Sequence, residues 1–199
     1  GDHNCAAMAT GILKCWGINV YGQLGDGTTT TRKTPVEVSN LGVAAVHIIA
    51  GFDHTCATLA TSKVKCWGVN ASGQLGNGTT TSRYTPAFAS VQSAGNLAKG
   101  SSSFHSCAIT DTGAAKCWGG NDYGQIGDST TTKRLSPVSV TGMGSDVSVM
   151  ATGGYHTCMV TIDGTAMCWG NNSYGQLGDG TLIHRNSPVH VSLPSGSTM

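Results

Sequence analysis

The sequence predicts an all-β fold of four repeated units set around a common axis, and three observations predict it. The stretch Cys15-Trp16-Gly17-Ile18-Asn19-Val20-Tyr21-Gly22-Gln23-Leu24-Gly25-Asp26-Gly27-Thr28 returns at 66–79, 117–130 and 168–181, a constant step of 51 residues. A period near fifty marks supersecondary units that stack or arrange radially. Glycine is rich, 29 of 199 residues, and each unit breaks into short apolar runs between turn residues, the pattern of short strands joined by tight turns. All four tryptophans (Trp16, Trp67, Trp118, Trp169) and all eight cysteines fall at equivalent places, so the chain reads as one repeat domain with units near 1–45, 46–96, 97–147 and 148–199.

The first unit begins with His3-Asn4-Cys5-Ala6-Ala7-Met8 as a short strand. Ala9-Thr10-Gly11 makes a turn, and Ile12-Leu13-Lys14-Cys15-Trp16 returns. This is a β-hairpin with glycine at its tip for positive φ. It recurs around Ala60–Ser62, Thr112-Gly113 and Asp163-Gly164, with Ser62 replacing the glycine in the second unit. Folding about the tip sets Cys5 opposite Cys15, and cross-strand Cα separations of about 4.5–5.5 Å suit a disulfide. The expected bridges are Cys5–Cys15, Cys56–Cys66, Cys107–Cys117 and Cys158–Cys168. Closing so short a loop contributes about 2–3 kcal/mol per bridge in the loop-entropy model. Even parity at fixed spacing also points to an oxidising compartment, extracellular or cell-surface.

Next comes Gly-Gln-Leu-Gly, with Ile126 for leucine in the third unit; its Gln23, Gln74, Gln125 and Gln176 join the tryptophans as structural repeat residues. Two glycines around one apolar side chain suit a tight loop that inserts the leucine. A Thr-rich segment leads to Arg32, Arg83, Arg134 and Arg185, and three residues later Pro35, Pro86, Pro137 and Pro188 each open a short strand such as Pro35-Val36-Glu37-Val38. Ala44–Gly51 supplies the strand before the next His-x-Cys. One unit therefore holds about four antiparallel strands, the content of a propeller blade. The third unit enters through the polar Asn96–Ser103 where the second has an apolar strand, and that strand should be the least secure.

Taken together, His-x-Cys-Ala, Cys-Trp-Gly-x-Asn, Gly-Gln-Leu-Gly and the Arg-x-x-Pro spacing resemble the repeats of the regulator of chromosome condensation family, over essentially the whole chain. The resemblance implies a β-propeller, usually of about seven blades. Well-known members carry aliphatic or aromatic residues where these cysteines stand, so the chain is similar to the secreted, disulfide-bearing bacterial branch. Four blades of that geometry make an open arc of a larger ring with two unpaired blade faces. Further blades of a longer chain, or association of copies, would complete it, and either is favoured over closure of the four blades by themselves. The strand that should precede His3 is missing, and 192–199 ends before the next one.

Formal net charge is +1 with no basic run, which argues against nucleic acid, and no run of 18 apolar residues predicts a membrane span. His3, His54, His105 and His156 each stand two residues before a cysteine. Structural zinc prefers Cys-x-x-Cys knuckles, absent here, so these histidines are expected to bond the backbone of an adjacent strand, with no metal and no cofactor. The loops Thr28, Thr29, Thr30, Thr31 and Arg32; Thr79, Thr80, Thr81 and Arg83; Thr130, Thr131, Thr132 and Arg134; and Arg185 are candidate binding or glycosylation loops. Asn70-Ala71-Ser72, Asn77-Gly78-Thr79 and Asn171-Asn172-Ser173 match the glycosylation sequon. No nucleophile elbow, phosphate loop or His-Glu-x-x-His occurs, and the recurrent polar residues repeat in every unit as scaffolding does.

The expected function is a non-enzymatic extracellular or cell-surface module. It would bind a protein or glycan partner or serve as scaffold, with self-association through its open ends into a ring or filament. The alternative is a regulator or inhibitor of a partner enzyme through one propeller face, exchange-factor-like or β-lactamase-inhibitor-like as the resemblance implies. Such a regulator should carry blade-specific aromatic or acidic residues on one face. Tyr21, Tyr123 and Tyr174 recur symmetrically, with Ser72 in the second unit, and favour the scaffold.

Overall fold

The computed structural model describes residues 1–91, 93–100 and 103–192. Among them are fifteen strands and no helix, in four antiparallel sheets that follow chain order. The first sheet is β1 (His3–Ala7), β2 (Leu13–Gly17) and β3 (Arg32–Glu37). The second is β4 (Ala45–Ala50), β5 (His54–Leu59), β6 (Val64–Gly68) and β7 (Arg83–Phe88). The third is β8 (Ala94–Leu97), β9 (His105–Thr110), β10 (Ala115–Gly119) and β11 (Arg134–Ser139). The fourth is β12 (Val147–Thr152), β13 (His156–Thr161), β14 (Ala166–Gly170) and β15 (Arg185–His190).

The first strands β4, β8 and β12 converge. Ile48, Ile49, Leu97, Val149 and Met150 line one hollow of about 260 Å³ between them. These strands face the axis, and β3, β7, β11 and β15 form the rim. The loops between first and second strands and between third and fourth strands share one face, the loop face. Hairpin tips lie on the other.

β1 and β2 of the first sheet, and the second and third strands of each four-stranded sheet, pair in the register Cys5↔Cys15, Cys56↔Cys66, Cys107↔Cys117 and Cys158↔Cys168. All four pairs are disulfides with Cα atoms 4.1 Å apart, and no cysteine is free. The hairpin tips take positive φ, +80° at Gly11 and +58° at Ser62, so the serine adopts the turn that glycine makes without strain.

Between sheets the core is apolar. Leu13, Cys15, Leu24 and Val38 of the first sheet close on Leu59 and Trp67 of the second, and the same packing brings Trp118 onto the second sheet and Trp169 onto the third. Those three indoles are fully buried, whereas Trp16 is half-buried.

Two expectations change. The proline strand opens three residues earlier than read: Pro35 is the fourth residue of β3, not its first. It is tolerated because β3 is a rim strand paired on one side only, so its missing N–H leaves no ladder donor lost. The entering strand of the third sheet begins at Ala94 and has four residues, against six in β4 and β12. Of the polar segment expected there, Ser101 and Ser102 lie outside the described residues, as do 193–199 of the last segment.

Candidate functional site on the loop face

The repeated polar residues are occupied inside the fold. Thr55 Oγ1 donates to the Gln23 carbonyl at 2.7 Å, so its oxygen accepts from His3 Nε2 at 2.8 Å. Trp67 Nε1 donates to the same Gln23 carbonyl at 2.9 Å. A histidine and a glutamine of one sheet thus clasp a hydroxyl and an indole of the next. The clasp repeats as His54–Ser106–Gln74–Trp118 and as His105–Thr157–Gln125–Trp169. The histidine partner is therefore a side chain of the neighbouring sheet, not the strand backbone the sequence suggested. Because each hydroxyl gives its proton to the glutamine, the histidine proton sits on Nε2. Nδ1 of His3, His54 and His105 is then bare, buried and without a partner. Burial holds His54 and His105 down at about 3; burial, helped by the chain's amino terminus, holds His3 at about 4. Gly25, Gly76 and Gly127 lie against the indoles, where a Cβ would come within 2.7 Å of Nε1.

Each Thr-rich loop is organised by an asparagine whose role the sequence did not disclose. Buried Asn19 accepts from Leu24 N at 3.0 Å through Oδ1 and donates through Nδ2 to the carbonyls of Thr28 and Thr30. Asn70, Asn121 and Asn172 do the same. Thr28, Thr79, Thr130 and Thr181 bond back to Asp26, Asn77, Asp128 and Asp179, so the first threonine of each loop is tied and only its successors are exposed. Asp26–Arg32, Asp128–Arg134 and Asp179–Arg185 are ion pairs, while Asn77 leaves Arg83 without a carboxylate partner among the described residues. Burial pushes the Asp26 carboxyl up, but hydrogen bonds from Thr28, Arg32 and Asn19 outweigh it and hold the group below its usual range. Asn70 is fully buried with its amide engaged, so its sequon has no room for a sugar in the fold.

The loop face breaks the repeat at several positions, one of them beside the clasp. Asp2, Asp53, Phe104 and Tyr155 are equivalent, each directly before the repeated histidine. Asp53 accepts from Gln23 Nε2 of the preceding sheet at 3.3 Å. Where the acid becomes Tyr155, the corresponding Gln125 Nε2 is buried without a partner. The aromatic residues instead join a ridge across three sheets. Phe52–Phe104 and Phe104–Tyr155 ring centroids are 5.0 Å apart, and Tyr155–Tyr123 and Tyr123–His184 are 5.2 Å apart, edge-on. Tyr21 and Tyr174 stand apart from it and exposed, so the three equivalent tyrosines are not equivalent in space. Phe52, Phe104, Tyr155 and His184 were not singled out as site residues. The available signals are the change from Asp to aromatic at 104 and 155 and the single-unit departures at Phe52 and His184, where the other units carry Gly or Ser and Thr, Ser or Lys. Among the described residues no group of His, Cys, Asp and Glu is placed to hold a metal ion.

Repeat models described as "Regulator of chromosome condensation (RCC1) repeat" match residues 11–58, 115–160 and 163–199, and a second model of that description matches 45–74, 100–125 and 147–176. The chain belongs to this family. It is 33% identical over 194 residues to the human "Probable E3 ubiquitin-protein ligase HERC4", covering 95% of the chain and 18% of that protein. It is 31% identical over 197 residues to the Arabidopsis thaliana "Ultraviolet-B receptor UVR8", covering 98% of the chain and 45% of that protein. Among solved structures, yeast RCC1 (Prp20) bound to Kap60 superposes with a TM-score of 0.84 at 19% identity, and human WBSCR16 with 0.80 at 22%. These cover 98% and 96% of the chain but 48% and 50% of the other chains, so the likeness is one of fold, and the chain spans about half of those propellers or less.

Proposed function

We propose that this chain is a non-catalytic propeller module of an oxidising, extracellular or cell-surface setting, and that its loop face binds a protein. The observation that carries the reading is the aromatic exchange at 104 and 155. It gives up a hydrogen bond to buried Gln125, a local inconsistency of the sort natural sequences keep at working sites. The four disulfides support the compartment. A photo-crosslinking phenylalanine analogue at Phe52 on the loop face, compared with one at Thr112 on a hairpin tip, tests the binding face in the native extracellular milieu. Protein adducts from the first position alone are expected; equal or absent adducts refute it. A thiol count under non-reducing denaturation tests the compartment, with zero expected.

A second observation favours self-association as well. On the outer side of the fourth sheet, Ala151, Val160, Ala166, Cys168 and Val191 line an apolar hollow of about 240 Å³, while Trp16 is half-buried on the opposite side of the first sheet. In the three inter-sheet contacts a tryptophan packs on the corresponding face. A second copy that seats its Trp16 there makes a head-to-tail contact, which closes into a ring or runs on as a filament. Sedimentation of the native chain and of Trp16→Ala distinguishes these: assembly lost in the variant is expected, and a monomeric parent chain refutes it.

A further inference from the structure

From the geometry of the ridge we propose the chemistry of the partner: a protein segment that lays a lysine or arginine, flanked by aliphatic side chains, along Phe52, Phe104, Tyr155 and Tyr123. This rests on the loop-face reading and deepens it. The rings are not arranged for sugar. Phe104 lies between Phe52 and Tyr155, 5.0 Å from each, and is nearly parallel to Tyr155 at 15°, so its faces are turned to its neighbours and not to a pyranose. What the ridge offers outward is ring edges over about 20 Å, the sum of its centroid steps. An extended segment of about six residues covers that span.

Phe52 is the exception. It has a ring neighbour on one side, is tilted 33° to it and is 43% exposed, so one face is available to a cation. The side-chain charges beside the rings are acidic, while the chain's amino terminus, a cation, lies against the Phe52 backbone. Asp53 follows Phe52 and Asp122 precedes Tyr123, and among the described residues neither forms an ion pair with a lysine or arginine. Burial raises the Asp53 carboxyl, with the chain's amino terminus pulling the other way and Asp2 adding to the rise. At the far end His184 Nδ1 accepts from Asn172 N at 2.9 Å, which turns its Nε2–H outward to meet a peptide carbonyl.

The test is selection of a random twelve-residue peptide library on the immobilised native chain, followed by titration calorimetry of one selected peptide. The control is Tyr155→Asp, which installs the residue the second sheet carries and offers Gln125 the acceptor it lacks, so the variant keeps its four disulfides and a cooperative melt. Peptides rich in Lys or Arg beside Leu, Ile or Val are expected, with affinity falling at least about tenfold in Tyr155→Asp and on replacing the peptide cation by alanine. Peptides without a cation, or binding indifferent to Tyr155→Asp, overturn the proposal. Binding confined to a glycan array and abolished by Tyr155→Asp overturns the partner class while leaving the loop face as the working surface. Loop-face adducts at Phe52 alongside a failed selection would overturn this proposal and leave the loop-face reading standing.

Discussion

Acid should loosen the clasps between blades well before it reaches the carboxylates. In the folded chain His54 and His105 are neutral down to about 3 and His3 to about 4, because burial disfavours the imidazolium. In the unfolded chain each titrates at its ordinary value of 6.5. Above 6.5 neither state is protonated and the clasp stability is whole. As pH falls from 6.5 towards the folded values only the unfolded chain takes protons, so stability is lost across that window. At pH 5 each histidine has crossed about 1.5 pH units, a loss of about 2 kcal/mol, and three together lose about 6 kcal/mol. That is comparable with the whole stability of many domains. The lowered carboxyls of Asp26 and Asp128 release their contribution only below the ordinary value of 3.8, so the window from pH 7 to 5 isolates the histidines. The assay is urea unfolding followed by tryptophan fluorescence and circular dichroism at half-unit steps, with His54→Gln as control. Glutamine keeps an amide donor for Ser106 but does not titrate, so the pH slope should fall by about a quarter to a third, since burial also holds His156 below its usual value and adds to the slope. A midpoint unchanged between pH 7 and 5, or a slope unchanged in His54→Gln, would sink the reasoning.

Other perturbations follow from the same geometry. Gly76→Ala forces a Cβ to within 2.7 Å of Trp118 Nε1 at a backbone φ of +65°, and should cost at least about 2 kcal/mol in urea unfolding. Trp118→Phe keeps a ring but loses the 2.9 Å bond to the Gln74 carbonyl, for about 1–2 kcal/mol beyond any packing change, read the same way. Reduction of the four bridges should lower stability by about 2–3 kcal/mol for each, with melting followed in the presence of a phosphine reductant. Arg134→Ala should cost under about 1 kcal/mol, since its guanidinium is a third exposed, and Arg83→Ala less still because it has no carboxylate partner among the described residues.

What repeats was legible in the sequence, and what differs between repeats was not. The 51-residue step, the hairpin and the facing cysteines follow from turn chemistry and strand periodicity, which act within a few residues. The clasp is different in kind. His3 and Thr55 are 52 positions apart, and a hydroxyl before a cysteine gives no local sign that it receives an imidazole from another sheet. The role of Asn19 is hidden for a similar reason: its four partners lie five to eleven residues ahead, in a loop whose path is fixed only once the leucine is buried. The ridge was hidden because Phe52, Tyr123 and His184 come from three different repeat positions, so only the fold brings them into line.

The clasps also predict how motion is distributed. Each joins two sheets through a histidine, a hydroxyl, a carbonyl and an indole, so the second and third sheets are clasped on both sides and the first and fourth on one. In a repeat array stability is a sum of unit and nearest-neighbour terms, and units with two neighbours open least. The burial pattern agrees: every residue of β5 is buried, whereas β13, its counterpart in the fourth sheet, alternates between buried and half-buried. One clasp removed is at least one buried hydrogen bond of about 1–1.5 kcal/mol, about a tenfold change in the opening equilibrium. Amide exchange in this chain should therefore be at least about tenfold slower in β5, β6, β9 and β10 than in β2 and β13. Removing one acceptor, by Thr157→Val, should speed exchange in β9 and β13 together while β1 and β2 hold their rates. Uniform protection across the four sheets would mean that the disulfides, present in every sheet alike, set the local stability and that the clasps contribute little. A response of all four sheets to Thr157→Val would mean that the arc opens as one cooperative body and that nearest-neighbour coupling is the wrong description.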